Sequence, residues 1–212
     1  MLDSRLQQIA AFARSGSRLA DIGTDHALLP VQLIRQGVCT YVIASDVKKG
    51  PVAVATRTVM EAGLTEKIAI RLGDGLSTVS PDEVDDIVIA GMGGETIIAI
   101  LEAAPWVKSG HYRLILQPMT RAEKLRRFLW ENGFEIEREQ VVQDGQHWYT
   151  VLQVGYTGVA VNPDAFSCYV GRILLSQGAP YLRLVAKRLQ KQQQGGYDEE
   201  IARVLQKLEE YT

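Results

Sequence analysis

Apolar residues recur at helical spacing at the start of the chain and then give way to short continuous runs. Leu2, Leu6, Ile9, Ala10 and Ala13 mark one face of an amphipathic helix that Ser15-Gly16 ends, a helix expected to cover one edge of the domain. The run 18–22 reads as a strand and 27–36 as the helix behind it, with Gly37 as its stop and Pro30 early enough to be tolerated. The same alternation predicts strands at 40–46, 67–72, 84–90 and 112–116, and helices at 51–61 and 95–103. A further helix ends near Asn132-Gly133. The runs 134–142 and 147–156 alternate around Gln143-Asp144-Gly145-Gln146, a β-hairpin with an Asp-Gly turn. Strand–helix units that close on a hairpin predict an α/β fold with a parallel sheet.

The pattern changes after the hairpin. Glycines and Asn162-Pro163 break the chain, and no strand period returns. Phe166, Tyr169, Val170, Ile173 and Leu174 form one helical stripe; Leu182, Val185, Ala186 and Leu189 a second; Ile201, Val204, Leu205 and Leu208 a third. Gly195-Gly196 turns the last two into an antiparallel helical hairpin. The division falls at 1–157 and 158–212, and the second part is too small to hold a core alone, so it must lean on the first or on a partner. Arg183, Lys187, Arg188 and Lys191 lie on its middle stretch with no acid among them, a footprint for RNA or simply a solvated face.

Composition narrows the classes. Hydrophobic residues make up 46% and charged residues 23% of 212, as in ordinary globular proteins. With Lys+Arg 23 against Asp+Glu 25 the net charge is −2, so a polyanion must be met by a local patch. Cys39 and Cys168 stand apart and the three histidines show no metal-ligand spacing, which predicts no disulfide and no metal site. No run approaches membrane-spanning length, and the expectation is a cytoplasmic monomer or weak homodimer.

The ends of the strands carry the candidate chemistry. Asp21-Ile22 closes the first strand and Gly23-Thr24-Asp25-His26 follows it. A dinucleotide fingerprint needs three glycines there, whereas this turn has only Gly23, and Asp25 would repel a phosphate. A phosphate-free nucleoside with a positive centre, such as S-adenosyl-L-methionine, suits it better, unless the stretch is an ordinary strand-turn-helix with polar loop residues. Asp46 ends the second strand where an acid can accept from both hydroxyls of a ribose, or else cap the next helix. Gly73-Asp74-Gly75 ends the third, where a carboxylate can accept from an adenine amine, or simply form a turn. Together Asp21, Asp46 and Asp74 outline one acidic crevice. Gly91-Met92-Gly93-Gly94 after the fourth strand leaves room for a flat ligand, or serves tight helix–strand packing, which accounts for one of the glycines but not three. Gln117-Pro118 ends the fifth, and Arg121, Lys124, Arg126 and Arg127 are expected to face outward from the helix that follows, solvated or on phosphate.

ADIGTDHALLP, GLTEKIAIRLGDGL, IVIAGMGGETI and LILQP followed by LRRFLWENGFEI resemble the bacterial tRNA adenine-22 N1-methyltransferases, over Leu2 to about Tyr156. Met119 departs from members with Asn after Gln-Pro. The resemblance implies a Rossmann-like class I methyltransferase sheet of seven strands, one of them reversed, with a coiled-coil-like C-terminal extension. It also implies methyl transfer from S-adenosyl-L-methionine to N1 of an adenine in the D-arm region of tRNA. The cofactor is then expected at Asp21, Gly23, Asp25, His26, Asp46, Gly73, Asp74, Gly75, Gly91 and Met92. The RNA is expected at Gly93, Gly94, Arg121, Arg126, Arg127, Arg183, Lys187 and Arg188. Asp25 is the expected carboxylate for the developing cation and Gln117 the residue that orients the base. The competing readings are a non-catalytic RNA-binding module and a small-molecule methyltransferase. A DNA adenine-amine methyltransferase is disfavoured, because Ala90-Gly91-Met92-Gly93 lacks the polar-Pro-Pro-aromatic loop.

Overall fold

The computed structural model describes residues 2–172 and 179–211. Seven strands form one sheet: β1 (Ser17–Ile22), β2 (Cys39–Asp46), β3 (Ile68–Leu72), β4 (Asp86–Gly93), β5 (Arg113–Thr120), β6 (Phe134–Asp144) and β7 (His147–Tyr156). Their order is β3-β2-β1-β4-β5-β7-β6. Neighbours pair in parallel except at β7, which runs against both β5 and β6, so a single strand is reversed. This is the seven-stranded Rossmann-like sheet that the sequence predicts.

The period of two along each central strand divides the core in half. Ala20, Ile87, Ile89, Leu114 and Leu116 pack under α4 (Gly94–Glu102) and α5 (Ala122–Glu131). Their neighbours Leu19, Val88 and Ile115 face the other way, toward α1 (Ser4–Phe12), α2 (Leu28–Arg35) and α3 (Lys49–Glu61). A sheet covered on both faces explains why these strands read as continuous apolar runs. α1 lies on a face rather than at an edge: Ile9 and Phe12 are buried in one cluster with Ile115, Val142 and Val151 of β5, β6 and β7. Each such side chain contributes about 1.5–3 kcal/mol on burial, so α1 is part of the core.

Two strands run further than expected. β4 continues through Gly91-Met92-Gly93 and β5 through Pro118 to Thr120, pairing with register shifts around Met92. The glycines are therefore an irregular strand end and not a free turn; Gly91 takes φ +77, which only glycine adopts readily.

The C-terminal part contains α6 (Ala165–Val170), α7 (Ala179–Gln194) and α8 (Glu199–Glu209). Leu182, Val185 and Leu189 of α7 meet Ile201, Val204 and Leu208 of α8, with Val141 and Trp148 of the hairpin packed against them. The small helical pair thus leans on the β6–β7 hairpin. Ile173 and Leu174 lie outside the described residues. Among the described residues no helix is long and apolar enough to cross a membrane and no cluster of metal-ligating side chains occurs. Both cysteines are free and buried.

Candidate cofactor and substrate site

Strand order sets the candidate residues in a row along the C-terminal edge of the sheet. Pairing puts Leu72 of β3 opposite Asp46 of β2, Ala44 of β2 opposite Asp21 of β1, and Ala90 of β4 opposite Gln117 of β5. The row therefore runs Asp74, Asp46, Asp21, Gly91-Met92, Gln117. It crosses the point between β1 and β4 where the strand order reverses, the usual ligand crevice of an open α/β sheet.

The turn after β1 is fixed by its backbone. The Gly23 and Thr24 amides both donate to the Ser45 carbonyl, at 2.8 and 2.9 Å. They are spent on β2 and cannot cradle a phosphate. Gly23 has φ +81, and a Cβ there would lie 2.1 Å from Met92 Cε, so the methionine side chain lies against bare backbone. Asp21 is 7% exposed and forms no ion pair among the described residues. Burial pushes its carboxyl up to about 6, although a hydrogen bond from Thr24 and the charge of Arg5 pull the other way. A buried carboxylate short of a counter-charge favours a cationic ligand. Asp25 and His26 lie at the rim, 3.1 Å from each other, with the Asp25 side chain 77% exposed.

Asp46 is half-buried, and one of its oxygens accepts from the Lys48 amide at 2.7 Å. It anchors the entry to α3 and keeps a second oxygen for other use. Asp74 is exposed on a loop and borders a cavity of about 700 Å³ whose other walls include Gly75, Leu76, Thr96, Ile100 and Trp106. An apolar slot with a carboxylate at its edge fits a purine carrying an amine. Gly73 allows this loop to close, since a Cβ there would meet Thr78 Cγ2 at 2.2 Å. Arg71 clamps the loop's far end, its Nη1 and Nη2 donating to Glu83 at 2.9 and 2.6 Å.

Beyond β4 the structure corrects three expectations. Gln117 is fully buried and its polar atoms are committed: Oε1 accepts from Arg5 Nη1 (3.0 Å) and the Gly91 amide (3.1 Å), while Nε2 donates to the Pro118 carbonyl (3.0 Å). Both donors to Oε1 lack acceptor capacity, so the amide orientation is fixed and no edge is left to orient a base. Gly94 is buried, and a Cβ would lie 2.4 Å from the Arg121 carbonyl. It is required by α5 packing and offers no surface to a substrate. Gly93 remains partly exposed, although a Cβ would come within 3.2 Å of Thr120 Oγ1.

Arg126 is the third correction. It does not face outward: its side chain is wholly buried, donating from Nε and Nη2 to Glu139 Oε1 (3.0 and 2.6 Å) and from Nη1 to the Cys168 carbonyl (2.6 Å). Helical spacing alone leaves this flank of α5 to water, whereas α6 covers it. Arg127 pairs with Glu200 of α8 at 3.0 Å, so it too is engaged with the tail. Arg121 keeps a half-exposed side chain, while Arg183, Lys187 and Arg188 are exposed on α7.

Arg5 is a member of the site that the sequence does not single out. It sits on the polar flank of α1, and its contacts with Gln117 and with the ring of Tyr149 (5.9 Å) come from far along the chain. A lone cation on an otherwise ordinary helix gives no local signal.

A family model described as "Methyltransferase domain" matches residues 2–152. The tRNA (adenine(22)-N(1))-methyltransferase of Bacillus subtilis is 38% identical over 177 residues, 84% of this chain and 71% of that protein. Sp1610 of Streptococcus pneumoniae, solved in complex with S-adenosyl-L-methionine, superposes with a TM-score of 0.86 at 32% identity, covering 100% of this chain and 99% of that one. The B. subtilis m1A22 tRNA methyltransferase TrmK superposes with a TM-score of 0.76 at 29% identity, covering 99% and 95%. With a buried acid at the strand-order reversal, no phosphate cradle, and these relatives along most of its length, this chain belongs to the methyltransferase-domain proteins and, among them, to the tRNA (adenine(22)-N(1))-methyltransferase family.

Proposed function

We propose that this protein transfers a methyl group from S-adenosyl-L-methionine to N1 of adenine 22 of tRNA. The observation that carries the reading is Asp21: a buried carboxylate without an ion-pair partner among the described residues, beside a turn whose amides are consumed by Ser45. That combination favours a cation and disfavours a phosphate. The curated relative named for this reaction and the pneumococcal structure with the same cofactor support it.

When bound, S-adenosyl-L-methionine supplies an electrophilic methyl on a positively charged sulfur. Asp21, Gly23 and Met92 would hold its methionine portion, with Asp25 and His26 at the rim, Asp46 its ribose, and Asp74 with Gly73 and Gly75 its adenine. N1 of adenine carries an in-plane lone pair, so no side chain has to remove a proton before attack. The N1–methyl bond forms as the sulfur–methyl bond breaks, and the positive charge passes from sulfur to the base. The protein's task is alignment and charge stabilisation. Two unit charges 4 Å apart interact by about 1 kcal/mol in water but about 4 kcal/mol at an effective dielectric near 20. Asp25, in solvent, is therefore a weak stabiliser of the charge that develops on the base, whereas Asp21, buried, acts on the cationic cofactor itself. Gln117 acts indirectly, by pinning Arg5 to the end of β4.

Residues 158–212 serve in this reading as an RNA-docking extension of the catalytic part, 1–157. Arg183, Lys187 and Arg188 supply phosphate contacts that help offset the few kcal/mol needed to expose a Watson–Crick edge.

The test is incubation of an unmodified tRNA transcript with methyl-labelled cofactor, followed by primer extension across the D-arm. One labelled nucleotide, N1-methylated at position 22, is the expected result. Label at another position, or none although S-adenosylhomocysteine binds, overturns the assignment.

A further inference from the structure

The sheet edge continues past Gln117 into a cleft of about 540 Å³ between the β5–α5 junction, the start of β7 and the face of α7. Its walls include Met119, Arg121, Glu123, Trp148, Tyr149 and Arg188. The volume lies within the range of small-ligand sites, roughly 300–1,000 Å³. Aromatic faces beside guanidinium groups are the equipment for single-stranded nucleic acid: rings stack on bases, and guanidinium forks meet phosphates.

Three observations make this cleft more than a packing gap. Arg121 holds a left-handed backbone (φ +57), which costs a non-glycine residue free energy and clusters at functional sites. Its side chain is half-exposed, with the nearest carboxylate, Glu123, 3.9 Å away. Arg188 is exposed with no ion-pair partner among the described residues, and α7 continues the positive field through Arg183, Lys187 and Lys191 without an acid. Met119 leaves 45% of its surface in water at the end of β5.

We propose that this cleft is a second base-binding subsite, taking an unpaired nucleotide that flanks the methylated adenine, its base against Tyr149 and Trp148 and its phosphates between Arg121 and Arg188. The proposal rests on the methyltransferase reading above. The reacting base belongs by the acid row and Met92, whereas the cleft opens only beyond the fully committed side chain of Gln117. Stacking requires the face of a base, which a paired helix hides, so the occupant is unpaired. Cations without acids along α7 favour a polyanion over a protein helix.

Unmodified tRNA transcripts with 2-aminopurine at position 21, 22 or 23 are titrated with the full chain in the presence of S-adenosylhomocysteine, and methylation kinetics are measured on unlabelled transcript. The parent should change the fluorescence of a flanking probe, and Tyr149→Ala should abolish that change. Arg188→Glu should raise the tRNA KM about tenfold and Arg188→Lys should recover most of it, with S-adenosylhomocysteine affinity unaltered. Methylation by the parent with both Tyr149→Ala and Arg188→Glu within twofold of its KM overturns the subsite. So does a response to Tyr149→Ala confined to the probe at position 22, since the cleft would then hold the target itself. Failure of the parent to methylate tRNA overturns the underlying reading, and the subsite with it.

Discussion

Arg126 on α5 and Glu139 on β6 meet at 2.6 Å with both side chains fully buried, and the pair joins the C-terminal helices to the sheet. Arg126 also donates to the Cys168 carbonyl on α6, and the second Glu139 oxygen accepts the Arg172 amide at 2.9 Å. Burial works against the charge on Arg126, but Glu139 and Tyr181 outweigh it and raise the guanidinium above its ordinary value. The staple therefore ties α5, α6 and β6 together through buried hydrogen bonds.

Removing one partner strands the other. Arg126→Met should lower stability by about 3–5 kcal/mol in urea denaturation, the usual cost of an uncompensated buried charge. Arg126→Met combined with Glu139→Leu should recover much of the loss. A double variant no more stable than Arg126→Met alone would show that the hydrogen bonds to Cys168 and Arg172, and not the stranded charge, set the cost.

Asp21 makes stability and ligand binding oppose each other. Its folded value, about 6, lies above the ordinary 3.8, so between those limits the folded state binds more protons than the unfolded one. The penalty is absent below about pH 4, grows as pH rises, and is complete above about pH 6. Asp21→Asn should therefore be more stable than the parent at pH 7, by up to about 2–3 kcal/mol, and equal to it near pH 4. S-adenosyl-L-methionine should bind the parent more weakly as pH falls through 6, whereas Asp21→Asn should bind weakly at every pH. Thermal melts and calorimetric titrations at matched pH check both halves.

The sequence made the architecture legible because the sheet is covered on both faces: five apolar runs and an alternating hairpin leave little choice of element. The acids at Asp21, Asp46 and Asp74 were visible for the same reason, since each closes a run. What stayed hidden depended on contacts across long stretches of chain. Arg126 reads as a solvated cation until α6 is laid over it, and Gly94 as a ligand seat until the Arg121 carbonyl fills the space. Gln117 reads as a free amide until Arg5, 112 residues earlier, takes its oxygen.

Arg5 should act through its neighbours. Arg5→Ala removes the tie to Gln117 and leaves a buried amide oxygen with only the Gly91 amide, a loss on the order of 1–2 kcal/mol. Arg5 also pulls the Asp21 carboxyl down, so its removal should move the pH midpoint of cofactor binding upward. A lower melting temperature with an unmoved midpoint would reduce Arg5 to a structural brace.

Glu83 and Asp85 should govern the acid limit of the fold. The Arg71 fork and the Ser80 amide hold the Glu83 carboxyl down at about 2, and Arg18 does the same for Asp85. Folded values below the unfolded ones give stability that is fully present above about pH 4.5 and lost as pH falls toward 2. Both carboxylates are partly solvated, so each is worth about 1 kcal/mol after screening. Glu83→Gln should narrow the gap in unfolding free energy between pH 6 and pH 3, read from urea denaturation, by that amount. Because Glu83 clamps the loop that carries Asp74, the variant should also weaken cofactor binding at pH 7, where the carboxylate is ionised in the parent. Unchanged affinity alongside the lost acid sensitivity would separate the clamp from the adenine end of the crevice.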